Sequence, residues 1–205
     1  GNVASFTYKR DENVIGWQTQ TFAGTNVEVE SMASIPSVDG KSNTLYLIVK
    51  RTINGSTVRY IEFLENRLEP TSPTDKDDLF YVDSGATYSG SPATTITGLS
   101  HLEGEVVQIL ADGASHPDKT VSSGQIVLER SASKVQVGLK YTSTLVALPV
   151  EVTTPTGTSQ GKKKRLSQLL VRLYNSLGGK FGQDSNTLDR FMYRSGSVPM
   201  DSSPP

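Results

Sequence analysis

The dipeptide Asn54-Gly55, set between two apolar alternating segments, is the feature of this 205-residue sequence that most constrains its fold. Asn and Gly suit the two positive-φ positions of a type I′ turn, so the sequence predicts a β-hairpin with a two-residue loop. A loop of this length also fixes the register of the two strands. The predicted cross-strand pairs are Ile53 with Ser56, Val49 with Tyr60, Ile48 with Ile61, Tyr46 with Phe63, and Lys50 with Arg59.

The pair of Lys50 and Arg59 is the unfavourable contact in this register, because like charges directly opposite each other destabilise an antiparallel pair. Glu62 lies on the diagonal of this pair in the sequence pattern. We therefore expect the Glu62 carboxylate to offset the repulsion.

Upstream of this hairpin, two segments alternate with the period of two that is typical of strands with one wet face. They span residues 15–22 and 27–35, and the turn-forming residues Ala-Gly-Thr-Asn separate them. The two segments are expected to pair antiparallel. With a further strand at residues 6–10, the N-terminal module would be a four- or five-stranded up-and-down meander, similar to a propeller blade whose exposed faces need neighbours.

The fold class predicted for the whole chain is all-β, in three parts. Residues 1–70 form the antiparallel meander, residues 71–152 a small β-barrel or sandwich, and residues 153–205 a hairpin that returns to the first module and ends in a flexible tail. The boundary near Thr71 is predicted from a stretch with two prolines and a charge cluster at residues 66–78. Short strands are predicted for the second part at residues 79–82, 94–97, 106–110, 125–129 and 135–141, with a surface loop at 86–95 and a bulge or bend near 142–145.

The last part contains the densest basic run of the chain, formed by Lys162, Lys163, Lys164 and Arg165. Two interpretations stay open: a solvated strand start, or a contact for phosphate or for a partner protein. The following residues 166–177 fit both helical and strand periodicity. We favour a strand, because the surrounding chain is β and because Gly178-Gly179 is typical of a hairpin turn into a strand at 188–193.

Residues that could perform chemistry do not form a recognisable catalytic motif. His101 beside Glu103 is more typical of a structural hydrogen-bonding histidine than of a general base. Asp112, His116 and Asp118 could converge on a divalent ion, but turn composition explains them equally well. Six aromatic residues could line a sugar site, although core or interface packing is their commoner use. They are Trp17, Tyr46, Tyr60, Tyr81, Tyr88 and Tyr141.

Composition limits the class of protein further. The net charge of −1 provides no global field for nucleic acid or anionic membrane. The absence of cysteine excludes disulfides and thiolate chemistry. No apolar run approaches the roughly 18–20 residues of a membrane span. We therefore expect no catalysis, no cofactor, no small-molecule substrate and no membrane partner.

Several blocks occur in an order that resembles a known family. They are RYIEFLENR, YVDSGATYSG, GLSHLEGE, ADG, HPD, GLKYTS and GKKKR, and the similarity runs from about Trp17 to Met200. The chain resembles the tail nozzle or tail-tubular proteins of short-tailed phages and prophages, sometimes called stabilisation proteins. The leucine-rich residues 166–177 depart from the β-branched residues of that family.

This resemblance implies a structural virion protein in which several copies surround the DNA channel. It implies as partners copies of the chain itself and neighbouring phage tail proteins, with non-specific DNA contact in the lumen as a further expectation. The chain would be produced in the bacterial cytoplasm and located in the virion. Because the sequence begins with Gly1, we expect an interior fragment of a longer subunit. The alternative function is a carbohydrate-binding or host-adhesion module of a phage tail.

Overall fold

The computed structural model of the chain is all-β, and its sheets are antiparallel, as predicted. The structure describes residues 2–37, 40, 42–65, 73–147, 153–154, 157–158, 163, 165, 168–173 and 178–191. The chain divides into two compact units, residues 1–146 and residues 147–205. The predicted boundary near Thr71 falls outside the described residues.

The first two strands form a hairpin of their own. β1 (Asn2–Lys9) and β2 (Val14–Thr21) pair along their whole length, with Phe6 opposite Trp17. The prediction that residues 15–22 pair with residues 27–35 is therefore wrong. The reason lies in the connection after β2, where buried Ala23 donates its backbone N–H to the Asp83 carboxylate at 2.6 Å. This contact carries the chain into the core instead of reversing it tightly.

The predicted hairpin at Asn54-Gly55 is confirmed. β3 (Thr25–Pro36), β4 (Asn43–Ile53) and β5 (Ser56–Phe63) form a three-stranded sheet in that order. Asn54 and Gly55 adopt φ angles of 47° and 75°. All five predicted cross-strand pairs between β4 and β5 are observed. The predicted meander of four or five strands is nevertheless wrong in strand number, because β1 and β2 form a separate sheet.

Two carboxylates of β3, rather than Glu62, offset the repulsion between Lys50 and Arg59. Lys50 binds Glu28, and Arg59 donates to both carboxylate oxygens of Glu30 at 2.8 and 3.0 Å. Glu62 is paired with Leu47 and so points to the opposite face of the sheet. The expected role of Glu62 is therefore wrong.

The third sheet described in unit 1–146 has four strands, with the order β6-β9-β7-β8. The strands are β6 (Asp83–Thr97), β7 (Val106–Ala111), β8 (Ala114–Thr120) and β9 (Gln125–Leu139). The sheet does not close, so the described residues form no barrel. Its buried side chains make most of the hydrophobic core, which also includes Ala23 and Ile53.

Several predicted boundaries in this sheet are wrong. Residues 79–82 are not a strand, and residues 86–95 lie within β6 rather than in a surface loop. Pairing with β9 outweighs the weak strand propensity of these small polar residues, and three register shifts accommodate them. β9 joins the two strands predicted at 125–129 and 135–141 and ends at Leu139, so the expected bend at 142–145 does not lie between two strands.

Unit 147–205 contains short strands. β10 (Thr153–Thr154) pairs with β11 (Gly157–Thr158), and β12 (Lys180–Gly182) pairs with β13 (Leu188–Arg190). The second pair includes part of the strand predicted at 188–193, but its partner is Lys180–Gly182 instead of a strand within 166–177, and its turn lies at residues 183–187. Residues 168–173 are neither helix nor strand, so the predicted strand is wrong for this described portion of 166–177. That the hairpin returns to the first module stays a prediction.

We expect Gly55→Ala to lower the free energy of unfolding by about 1–2 kcal/mol, because an L side chain at a φ of 75° adopts the left-handed region. A Cβ at Gly55 would meet no atom within 4 Å, so the cost is conformational. Gly16→Ala is the matched control, since its Cβ also meets nothing and its φ is not positive. Urea unfolding monitored by circular dichroism measures both variants; equal midpoints would contradict the prediction.

Candidate assembly groove

β5 is an edge strand, because among the described residues it pairs with β4 alone. Its side chains alternate between two faces. Ile61 and Phe63 lie on the outer face and are 78% and 55% exposed, whereas Tyr60 and Glu62 lie on the face toward the core. Edge strands with exposed apolar side chains are templates for association with another chain.

A large groove runs along this edge within unit 1–146 and has a volume of about 1920 Å³. Residues of both faces of β5 line it, together with β2, the start of β6 and the segment that follows β9. Its lining includes large side chains that are more than half exposed. They are Trp17, Ile61, Phe63, Tyr81, Leu145 and Val146. A groove of this character can bind an extended apolar segment.

A buried ion pair lies beside the groove. Arg51 of β4 is fully buried, and its Nη2 donates to Glu62 Oε2 at 2.9 Å. Nη1 lies 2.9 Å from Glu62 Oε1, although the angles of this second contact are not those of a hydrogen bond. Arg51 Cδ also lies close to Gly24. The Arg51 side chain thus joins β4 to β5 through its guanidinium and lies beside the connection after β2 through Cδ.

Asp83 is a second carboxyl group close to Arg51. Burial raises the pKa of Asp83, while the hydrogen bond from Ala23 and the charge of Arg51 act in the opposite direction and only partly offset it. Burial also raises the pKa of Tyr60 and of Tyr141, which line the same groove. The lining of the groove therefore combines partly buried polar groups with exposed apolar side chains.

The contact of Arg51 with Glu62 was not predicted, although the alternation of buried and exposed residues in β4 and β5 contains a signal for it. Arg51 occupies the core-facing phase of β4, between Val49 and Ile53. A charged residue in a buried phase requires a partner. Glu62 shares that face in the register fixed by Asn54-Gly55, so the pair could have been inferred.

The basic run is only partly within the described structure. Lys163 and Arg165 are exposed, while Lys162 and Lys164 lie outside the described residues. This exposure fits both interpretations of the run. Exposed apolar side chains follow it closely, including Leu169 at 61% and Leu170 at 83%.

His101 has a structural hydrogen-bonding role. Its Nε2 lies 2.9 Å from the carbonyl of Ser84, and its own carbonyl accepts the hydroxyl of Tyr60 at 2.7 Å. Glu103 instead accepts the backbone N–H groups of Ser123 and Gly124 at 2.8 and 2.7 Å. His101 and Glu103 therefore contact different backbone groups of the unit.

The residues considered for a metal site point to different partners. Buried His116 accepts the N–H of Glu129 through Nε2 at 3.0 Å, and its Nδ1 lies 2.8 Å from the carbonyl of Pro117. Asp112 accepts the backbone N–H groups of Ser133 and Lys134 in β9. Asp118 binds Lys140. In the described part of the chain, no group of three such residues is placed to hold a metal ion.

Four of the six aromatic residues considered for a sugar site line the groove, namely Trp17, Tyr60, Tyr81 and Tyr141. Trp17 is 73% exposed, and its ring lies 4.6 Å from that of Phe6 across the hairpin. Tyr46 instead contacts Phe63 on the outer face of the sheet. Tyr88 donates its hydroxyl to the Ser91 carbonyl at 2.6 Å.

Comparison with protein-family models gives no match, and no characterised protein shows significant sequence similarity to the chain. Among the described residues, no helix has the length and apolar character needed to cross a membrane.

We expect Arg51→Met to lower the free energy of unfolding by about 3–5 kcal/mol, because it leaves the Glu62 carboxylate buried without its partner. The double variant Arg51→Met with Glu62→Leu should recover most of this loss. Arg59→Met breaks an exposed pair with Glu30 and serves as the control, with only a small effect. Urea unfolding measures all three, and a single variant as stable as the control would refute the role of the buried pair.

Asp83 should give unfolding a specific pH dependence. Its raised pKa means that the folded state holds the Asp83 proton more tightly than the unfolded state does, so the stability it contributes is present at acid pH and lost as pH rises through the folded pKa. Asp83→Asn removes this contribution. The unfolding free energy of the variant relative to the native sequence should therefore increase from about pH 4 toward neutral pH. A difference that is constant, or that falls over this range, would contradict the assignment.

Proposed function

We propose that this chain is a structural component of a phage or prophage tail, part of a tube or nozzle assembly around the DNA channel, and that it performs no catalysis. Its partners are copies of itself and neighbouring tail proteins, and its location is the virion. The observation that supports this most is the exposed apolar edge at β5, where Ile61 is 78% and Phe63 is 55% exposed beside the large groove.

Burial of such an edge against another chain is the mode of association that the groove supports best. Exposed apolar patches rimmed by polar residues mark interaction surfaces. Main-chain hydrogen bonds at a sheet edge provide affinity, and the alternating side chains provide specificity. The outer face of the same sheet adds Tyr46 and Ile48, of which Ile48 is 38% exposed.

The hydrogen bonds of the two histidines support a role without catalysis. The nitrogens of His116 and Nε2 of His101 lie within hydrogen-bonding distance of backbone groups, so these atoms are engaged in holding strands together. A general base needs a nitrogen that can reach the reacting proton. In this proposal the basic residues Lys163 and Arg165 contact a neighbouring chain or the DNA lumen.

A carbohydrate-binding or host-adhesion module of a phage tail is the second candidate. It is favoured by the exposure of Trp17 and Tyr81 in a groove that also contains the side-chain amides of Gln18 and Gln20. Aromatic faces beside amide groups can bind sugar rings, and Trp17 is the only tryptophan in the sequence.

Mass spectrometry of phage particles purified from a host that carries the gene tests the proposal. We expect peptides of this chain in the particle fraction, and immunogold labelling at the tail. Absence from particles that contain the other tail proteins would overturn a structural role. Labelling at the tail tip, together with glycan-array binding that Trp17→Ala abolishes, would instead establish the adhesion module.

A further inference from the structure

We propose that the groove along β5 receives the segment between Lys163 and Leu173 of a second copy of this chain. The inference deepens the proposed assembly role and rests on it, because it names the occupant of the groove. Exposed apolar surface, opposite charge and strand geometry support it independently.

The described residues of this segment leave large apolar side chains in solvent. Leu169 is 61% exposed, Leu170 83%, Val171 42% and Leu173 45%. Residues 168–173 adopt neither helix nor strand in the single chain. Four large apolar side chains within five residues are costly to leave in water, at about 25 cal/mol for each Å² of apolar surface.

Charge favours the same match. Residues 147–205 contain 8 basic and 4 acidic residues, a net charge of +4, and residues 152–183 contain no acidic residue. Residues 1–146 contain 12 basic and 17 acidic residues, a net charge of −5. Opposite potentials on two surfaces steer their encounter and weaken with added salt.

Several charged side chains that line the groove are engaged in ion pairs. Glu62 binds Arg51, Lys134 binds Asp78, and Arg59 binds Glu30. The charge match therefore rests on the opposite net charges of residues 1–146 and residues 147–205.

Strand alternation predicts which side chains would share a face. A strand added beside β5 continues both faces of the sheet. If Leu169, Val171 and Leu173 continue the apolar face of Ile61 and Phe63, the alternate residues Leu170 and Arg172 continue the face of Tyr60 and Glu62. At about 3.3 Å per residue, residues 168–173 in an extended conformation would span about 20 Å and pair with about six of the eight residues of β5.

Because the groove and the segment are different surfaces, the contact is heterologous. Each copy offers its segment to one neighbour and its groove to another. A contact of this kind propagates from copy to copy and forms a closed ring when the rotation closes.

The chain contains no cysteine, so single cysteines can test the contact in the full chain. Ile61→Cys is carried on one preparation and Leu169→Cys on a differently tagged one, both at exposed positions. After mixing and treatment with a short bismaleimide, we expect several-fold more mixed dimer than with the matched control Val127→Cys, which is 58% exposed and does not line the groove. The excess should fall as salt rises from about 0.15 M to about 1 M, since exposed charges are screened.

A mixed-dimer yield no higher than that of the control would overturn the proposal. A double variant, Ile61→Cys with Leu169→Cys, that cross-links only within single chains would overturn the assignment to a second copy. Circular dichroism of each variant confirms its fold before mixing.

Fluorescence of Trp17 provides a second measurement that needs no cysteine, because this single tryptophan lines the groove. We expect its emission to shift to shorter wavelength as the concentration of the native chain rises, and not in the variant Leu169→Ser with Leu170→Ser. Emission that is independent of concentration would refute the contact.

The cross-linking experiment and the particle analysis test the two proposals separately. A chain found in the tail without the cross-link retains the proposed function and loses this contact. A cross-link formed by a chain absent from particles retains self-association and loses the tail assignment.

Discussion

The buried ion pair of Arg51 and Glu62 is the interaction on which the arrangement of unit 1–146 depends. A guanidinium placed in a core requires a carboxylate at a fixed position, since an unpaired buried charge is costly. Glu62 provides that carboxylate from β5, and Arg51 Cδ lies close to Gly24. One side chain therefore joins β4 to β5 and lies beside the connection after β2.

This ion pair holds one face of β5 and leaves an exposed apolar surface at its edge. The core face of β5 is held by Tyr60 and Glu62, whose polar atoms bind the His101 carbonyl and Arg51. With that face engaged, Ile61 and Phe63 are left on the outer face beside the groove. The same strand thus stabilises the unit through one face and offers an apolar surface through its edge and its other face.

Local sequence predicted best those elements whose register depends on neighbours in the chain. The Asn54-Gly55 turn fixed five cross-strand pairs correctly, because a two-residue loop allows one alignment of the strands that follow it. The same reasoning failed for residues 15–22, whose partner is β1, and for residues 86–95, which β9 recruits into a strand. Residues 15–22 pair with the strand before them rather than the one after them, and for residues 86–95 a partner distant in sequence outweighs the local loop composition. Of the groove, four aromatic residues were singled out from the sequence, whereas the groove itself and its Arg51–Glu62 pair were not predicted. The basic run stays a prediction.

The sequence by itself determined the fold class and the central hairpin, because the period of apolar residues and the positive-φ turn are properties of neighbouring residues. It also determined the absence of thiol chemistry. Only the tertiary structure decided which strands share a sheet, which carboxylate meets Arg51, and that one edge of the sheet borders a groove with Trp17, Tyr81 and Leu145. These features depend on contacts between residues far apart in the chain, and the free energies of such contacts are not encoded in any single segment.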